Sequence, residues 1–267
     1  MANFSGTVPI SFKRKGNWLA DRLLESILNG RVRHIWRIAA CAVLFVAGCG
    51  PAGYMPERQP GDGGLVFVTT FANPPYSYVD KDTKEYKGID LDIARAVAGK
   101  LGMPLKIVPM AFPRLLPSVK SGEADFAANA ITITPARARD VAFSRPYVSD
   151  GSAFLYRVGS IVPTVPLAGR LRIGCQNAST GHFYLSYHNI DPYCFDRYED
   201  AVAEFESGKL DALFYDAELI RETVRASKGA YAISPLEMRE NYGIAVRKDY
   251  PELLEAVNQV VAERRAK

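Results

Sequence analysis

From Leu65 onward the chain alternates between two hydrophobic periods, and that alternation restricts the fold more than any single residue does. "LVFVTT" reads as a strand, and "GIDLDIARAVAGKLG" spaces Ile89, Ile93, Val97 and Leu101 four apart on one helical face before stopping at Gly102. "LKIVPM" is the next strand, "RLLPSVKSG" a short helix and "DFAANAITIT" a strand again. After the apolar "GSAFLYRVG", a proline-rich break, "SIVPTVPLAG", opens a second series: strand "RLRIGC", helices "TGHFYLSY" and "EDAVAEFESG", strand "KLDALFY" and helix "AELIRETVRASKG". Strand "YGIAVRK" and helix "PELLEAVNQVVAERR" close the chain, the latter with Leu253, Leu254, Val257, Val260 and Val261 in one stripe. Such alternation predicts α/β architecture with largely parallel sheets.

The two series share a weak repeat. "SVKSGEADFAA" and "EFESGKLDALF" both run from a helix end through Ser-Gly to an Asp and an apolar strand. Gly122 and Gly208 fit the left-handed helix stop that glycine adopts cheaply. Two lobes on one plan would face each other across a cleft, because ligands in open α/β sheets bind outside the strand carboxyl ends. One strand exit, in "ITITPARARDVAFSRPY", carries Thr132, Thr134 and Arg137; the other carries Asp216. Hydroxyls, a helix N-terminus and a guanidinium suit a carboxylate, and a lone acid suits an ammonium. A small zwitterion fits between them. The competing reading of Arg137 is a solvated helix charge, which is also the reading of its neighbour Arg139.

Ahead of Leu65 the chain has another character. Residues 1–48 hold seven Lys and Arg against two Asp and Glu, a net +5, so the other 219 residues carry −1 of the overall +4. No nucleic-acid footprint falls on the folded part. The basic head leads into an apolar run from Ile38 to Ala47, too short to span a bilayer and suited to a signal peptide over residues 1–48. Its thirty-seven preceding residues exceed a usual signal, as a start site placed too far upstream would explain. Residues 49–64, rich in Gly and Pro, read as a flexible tether. Among the cysteines, Cys175 and Cys194 remain after the signal and Cys49. An exported pair can bridge, or remain as two separate buried thiols. Zinc-ligand spacing is absent, and no cofactor is called for.

At this point the sequence resembles a family. "PPYSYVDKDTKEYKGIDLDIARAVAGKLG", "LLPSVKSGEADFAANAITITPARARDVAFSRPY" and "GKLDALFYD" are similar to the polar amino-acid-binding proteins of bacterial ABC importers, solute-binding family 3. Val46-Ala47-Gly48-Cys49 likewise resembles the lipobox of bacterial lipoproteins, whose cysteine is lipidated; a plain secretory signal is the alternative. The resemblance implies a two-lobed, type II periplasmic-binding fold with two crossing hinge strands. Residues 65–158 and 240–267 would form the first lobe and 159–239 the second, in a monomer that closes on its ligand and serves a membrane permease.

Carried over position by position, the resemblance puts Arg137 on the ligand α-carboxylate, with Thr132 and the backbone around Ala130 as further donors. Asp216 takes the α-amino group, Thr180 lies near the carboxylate, and Phe112 packs on the ligand side chain. Asn73 stands where an aromatic residue is usual, and Ala178 replaces a usual glycine. Thr70, Asn73, Phe112 and Arg114 border the side-chain pocket in this reading and include no acid, which favours a neutral polar or acidic amino acid. The competing function is a dehydratase of the prephenate or arogenate type, with Glu218 or His182 as proton donor. An intact Arg137 and Asp216 pair favours binding without catalysis.

Overall fold

A computed structural model describes residues 63–80 and 82–265; the expectations for the leader, for Cys49 and for the tether up to residue 62 lie outside the described residues. In chain order come β1 (Leu65–Thr69), β2 (Ala72–Asn73), β3 (Ser77–Val79), β4 (Tyr86–Lys87), α1 (Ile89–Leu101), β5 (Leu105–Pro109), α2 (Phe112–Lys120) and β6 (Phe126–Ala127). A single 3-10 turn, Arg137–Arg139, precedes β7 (Ala142–Phe143) and the long β8 (Val148–Arg157). There follow α3 (Val165–Ala168), β9 (Ile173–Gln176), α4 (Thr180–Tyr187), β10 (Tyr193–Phe195), α5 (Tyr198–Glu206), β11 (Ala212–Asp216) and α6 (Ala217–Ala226). The chain closes with β12 (Tyr231–Ile233), β13 (Met238–Tyr242), β14 (Ala245–Val246) and α7 (Pro251–Arg265).

The elements build two sheets on one plan. The first has the order β5-β1-β6-β14-β7, with β5, β1 and β6 parallel and β14 antiparallel to β6. The second has the order β10-β9-β11-β8-β12, again three parallel strands followed by an antiparallel one. Thus β6 and β11, the strands of the repeat, occupy equivalent places. Gly122 and Gly208 end the helices before them at φ +76° and +80°, as a left-handed stop requires.

Helices cover both faces of each sheet, so both faces of the strands are buried. On the first sheet, α1 and α7 pack Leu91, Ile93, Val97, Leu253, Val257 and Val261 against Phe67 and Phe126. Each such side chain taken fully out of water contributes about 1.5–3 kcal/mol. An Asp at position 97, where exposure is zero, would bury a charge without a partner. The opposite face buries Val66, Val68, Leu115, Val119 and Ile131. In the second sheet, Leu213 and Tyr215 pack with α5 and α6, while Phe214 and Ile173 pack with Leu185 of α4 on the other face.

Strands β8 and β13 connect the lobes as an antiparallel pair, with Met238 opposite Ser152 and Tyr242 opposite Val148. Beyond them the chain enters the first sheet through β7 and β14. The 158/159 division read from the proline-rich break falls at the end of β8, whereas β8 is hydrogen-bonded to β11, β12 and β13 of the second sheet.

Several local expectations change. "DFAANAITIT" is a strand only at Phe126–Ala127, because Ala130 turns to φ +50° and Thr132 makes one isolated bridge to Tyr242. The basic run after Pro135 is one 3-10 turn and no α-helix. Within "YGIAVRK", Tyr242 ends β13 and only Ala245–Val246 form a strand of the first sheet, and β12, the rest of β13 and the β2-β3-β4 sheet had no counterpart in the sequence reading.

Candidate functional site

The two equivalent strand exits meet. On the first-lobe side, Pro135 lies just ahead of the 3-10 turn, and the Thr134 hydroxyl accepts the backbone N–H of Arg137 at 3.2 Å. Arg137 Nη1 donates to the Thr132 carbonyl at 3.0 Å, and Nη2 reaches the Ala178 carbonyl of the second lobe at 3.4 Å. The Phe112 ring centre, at the start of α2, lies 5.8 Å from the guanidinium carbon, in cation-π range. Burial depresses the Arg137 pKa, and the charges of Glu240 and Asp216 oppose that shift. Arg139 is exposed, as read from the sequence.

On the second-lobe side, Asp216 ends β11 at the mouth of α6. Its carboxylate accepts from Asn73 Nδ2 and from the Tyr242 hydroxyl, each at 3.2 Å. Part of its surface still meets solvent, yet the protein packed around it governs its proton affinity. Burial first, then the charge of Glu240, pushes the carboxyl up to about 7, against the two hydrogen bonds. Thr180 opens α4, whose cap is Ser179; the Ser179 hydroxyl accepts the His182 N–H at 3.0 Å. Ala178, just before this cap, has φ +55°, the left-handed conformation that accounts for a glycine preference there. The Ala130 N–H is engaged by the Tyr147 hydroxyl at 3.2 Å.

Glu240 was not anticipated. It lies on β13 and is 5% exposed. Its Oε1 accepts from the hydroxyls of Thr132 at 2.7 Å and Thr180 at 2.5 Å, and its Oε2 accepts from the Ser152 hydroxyl at 2.7 Å. The alternation of "EMRENYG" was the available signal, since it places Glu240 and Tyr242 on one face of a strand. Glu240 adds an acid, near enough to Asp216 to raise its pKa, that the four residues read as the pocket border do not include. Of the expected pocket border, Asn73 is in the site, Thr70 donates to Asn129 at 2.7 Å, and Arg114 points away to Glu123 at 3.4 Å.

Glu218 and His182, the side chains read as candidate proton donors, each have a hydrogen-bond partner. Burial raises the Glu218 pKa, but hydrogen bonds from Arg221 and Arg225, at 2.7 and 2.9 Å, hold it below the usual value. His182 Nδ1 accepts the Ala178 N–H at 3.3 Å. Cys175 and Cys194 lie opposite each other on β9 and β10 as free thiols, Sγ to Sγ 3.9 Å.

Two α/β lobes joined by a crossing strand pair, with charged groups of opposite sign converging between them, define a two-lobed binding protein of the type II periplasmic class. The sequence profile of the bacterial extracellular solute-binding proteins, family 3, matches residues 65–267, and the chain belongs to that family. ABC transporter arginine-binding protein 1 of Escherichia coli is 26% identical over 207 residues, covering 75% of this chain and 84% of its own length. The L-cystine-binding protein TcyJ of Escherichia coli is 26% identical over 246 residues, covering 87% and 92%. The arginine-bound form of truncated ArgBP from T. maritima superposes with a TM-score of 0.72 at 34% identity, covering 76% of this chain and 97% of that one. These relatives bind amino acids, and none of the three is named as an enzyme.

Proposed function

We propose that this protein is an extracytoplasmic lipoprotein that captures an amino acid between its lobes and delivers it to an ABC importer. What supports the reading is that each of the two opposite charges reaches across to the other lobe, Arg137 to the Ala178 carbonyl and Asp216 to the Asn73 amide. A guanidinium grips a carboxylate with two parallel hydrogen bonds, and a buried acid pairs with an ammonium. Thr132 and Thr180 supply hydroxyls to the carboxylate end, Phe112 and Asn73 border the side chain, and lipid on Cys49 keeps the protein at its membrane.

The ligand's side chain follows from charge. Arg137, Asp216 and Glu240 together place two acids against one guanidinium. A zwitterion alone leaves one acid without a counter-charge, and a cationic side chain supplies it. An arginine-like ligand therefore fits better than the neutral or acidic one expected from residues 70, 73, 112 and 114. Two of the three relatives above are named for arginine, which supports the same class, and the third is named for L-cystine.

A thermal-shift screen of the common amino acids tests this. A ligand at 100 times its dissociation constant adds about 2.7 kcal/mol, and L-arginine is expected to raise Tm most. No shift with any amino acid, together with turnover of prephenate or arogenate, would transfer the site to the dehydratase reading.

A further inference from the structure

Cys175 and Cys194 occupy directly paired positions on the parallel strands β9 and β10. Neighbouring strands lie about 4.8 Å apart, inside the Cα separation of roughly 4.4–6.8 Å that a disulfide requires. Both side chains leave the same face of the sheet, with the sulfurs 3.9 Å apart, and the Cys194 thiol also reaches the Pro192 carbonyl at 3.7 Å. Cys194 is exposed and Cys175 is wholly buried, so one thiol meets reagents from solvent and the other lies behind it. Among the described residues no His, Asp or Glu joins them in a group able to hold a metal ion. The pair also adjoins the second-lobe end of the site. Just past Cys175, the Asn177 N–H donates to the Phe195 carbonyl at 2.9 Å and the Asn177 side-chain amide to the Asp196 carboxylate at 3.2 Å, tying the loop that carries Ala178 and Thr180 to the end of β10. The two cysteines are 19 positions apart in the chain, and the segment between them holds the whole of α4.

We propose that Cys175 and Cys194 are a modification site: a small-molecule disulfide oxidises them to a bond that fastens β10 and α4 to β9 beside the ligand loop. The extracytoplasmic reading above supplies the oxidising medium in which such a bond persists. The step is thiol–disulfide exchange. The Cys194 sulfur, as thiolate, attacks one sulfur of the oxidant RSSR; the S–S bond of the oxidant breaks, and the first RSH leaves with the proton that Cys194 gave up. The Cys175 sulfur then attacks Cys194 Sγ, the mixed disulfide breaks, and the second RSH leaves with the Cys175 proton. Two protein thiols are oxidised and one RSSR is reduced to two RSH. Burial raises the pKa of the Cys175 thiol, which fixes the order of events: the exposed cysteine meets the oxidant and the buried one resolves the mixed disulfide. From 3.9 Å to a bond of about 2.05 Å, the sulfurs approach by about 1.9 Å, a movement of the size that side-chain rotation gives within an unchanged strand register.

The full chain, first reduced and then held in excess oxidised glutathione with no amino acid added, tests the site. Peptide mass mapping without reductant is expected to find Cys175 and Cys194 joined, with two hydrogens lost. Adding dithiothreitol to the oxidised protein is expected to lower Tm by about 6–12 °C, the effect of opening a loop of this size in a protein of this length. Cys194→Ser, at an exposed position, should melt at one temperature with and without dithiothreitol. Two free thiols, a stable glutathione adduct on Cys194 beside a free Cys175, or linkage of either residue to Cys41 or Cys49 would overturn the proposal. So would a joined pair whose reduction leaves Tm unchanged, because the bond would then fasten nothing. Binding of L-arginine is a separate measurement on the same samples: its absence would remove the capture reading and leave the result for the two thiols standing.

Discussion

The side-chain amide of Asn73 in the first lobe donates to the carboxylate of Asp216 in the second, 3.2 Å away across the cleft. One neutral donor therefore helps to hold an acid that burial would otherwise neutralise. Asn73→Ala removes one of the two hydrogen bonds that lower the Asp216 pKa, so that pKa should rise further. Ligand affinity at pH 7 should then fall by about tenfold, the equivalent of one charge-assisted hydrogen bond. Titration calorimetry with L-arginine at pH 7 and pH 8.5 checks it, because the loss should be smaller at the higher pH.

Arg137→Ala should abolish detectable binding while the fold persists. An unpaired ligand carboxylate left in the cleft costs about 2–5 kcal/mol, or roughly 30-fold to several thousandfold in affinity. Arg139→Ala, at an exposed neighbouring position, is the control and should change binding little. Calorimetry on both variants, with circular dichroism to confirm folding, decides whether the register is right.

Proton linkage gives a pH signature. Burial pushes both Asp216 and Asp90 up to about 7, so the folded state holds protons that the unfolded state has released. This stabilisation is complete below about pH 4 and is lost as pH rises through 7. Asp90→Asn leaves Asp216 as the remaining source of the two. An ammonium beside Asp216 favours its charged form, so binding near pH 6.5 should release a proton and affinity should rise with pH. Calorimetry in buffers of different ionisation enthalpy reads the released proton, and Asp216→Asn should abolish it.

The two thiols should differ sharply in reactivity. Cys194 is exposed, whereas Cys175 is buried and burial raises its thiol pKa. Brief alkylation of the reduced native protein should label Cys194 and spare Cys175. Adding denaturant should expose Cys175 as well, and peptide mass mapping distinguishes the two sites. Labelling of Cys175 at the native rate of Cys194 would contradict the burial.

Ala178→Gly should stabilise the protein. An alanine in the left-handed region costs about 1–2 kcal/mol, and glycine recovers most of this at a backbone-entropy cost of about 0.4–1 kcal/mol. The expected net gain is about 0.5–1 kcal/mol, read as a higher Tm in calorimetry. A lower Tm would mean that the φ of +55° is not strained.

The chain's hydrophobic periods, read without coordinates, determined the strong helices, the central parallel strands and the α/β class. Each of these depends on spacing within about fifteen residues, as in α1 with Ile93 and Val97 or α7 with Val257 and Val261. Arg137 and Asp216, proposed here to hold the two charges of the ligand, were singled out because each follows a strand marked by the same Ser-Gly repeat. Tertiary structure alone decided the rest. Strands of two or three residues, such as β6 and β12, are too short to carry a period; they exist because neighbours 50 or more residues away pair with them. Glu240 entered the site for the same reason: in the sequence it is one acid among the polar residues of "EMREN", and only the folding of β13 against β8, between the two lobes, brings its carboxylate to hydroxyls 60 and 108 residues away.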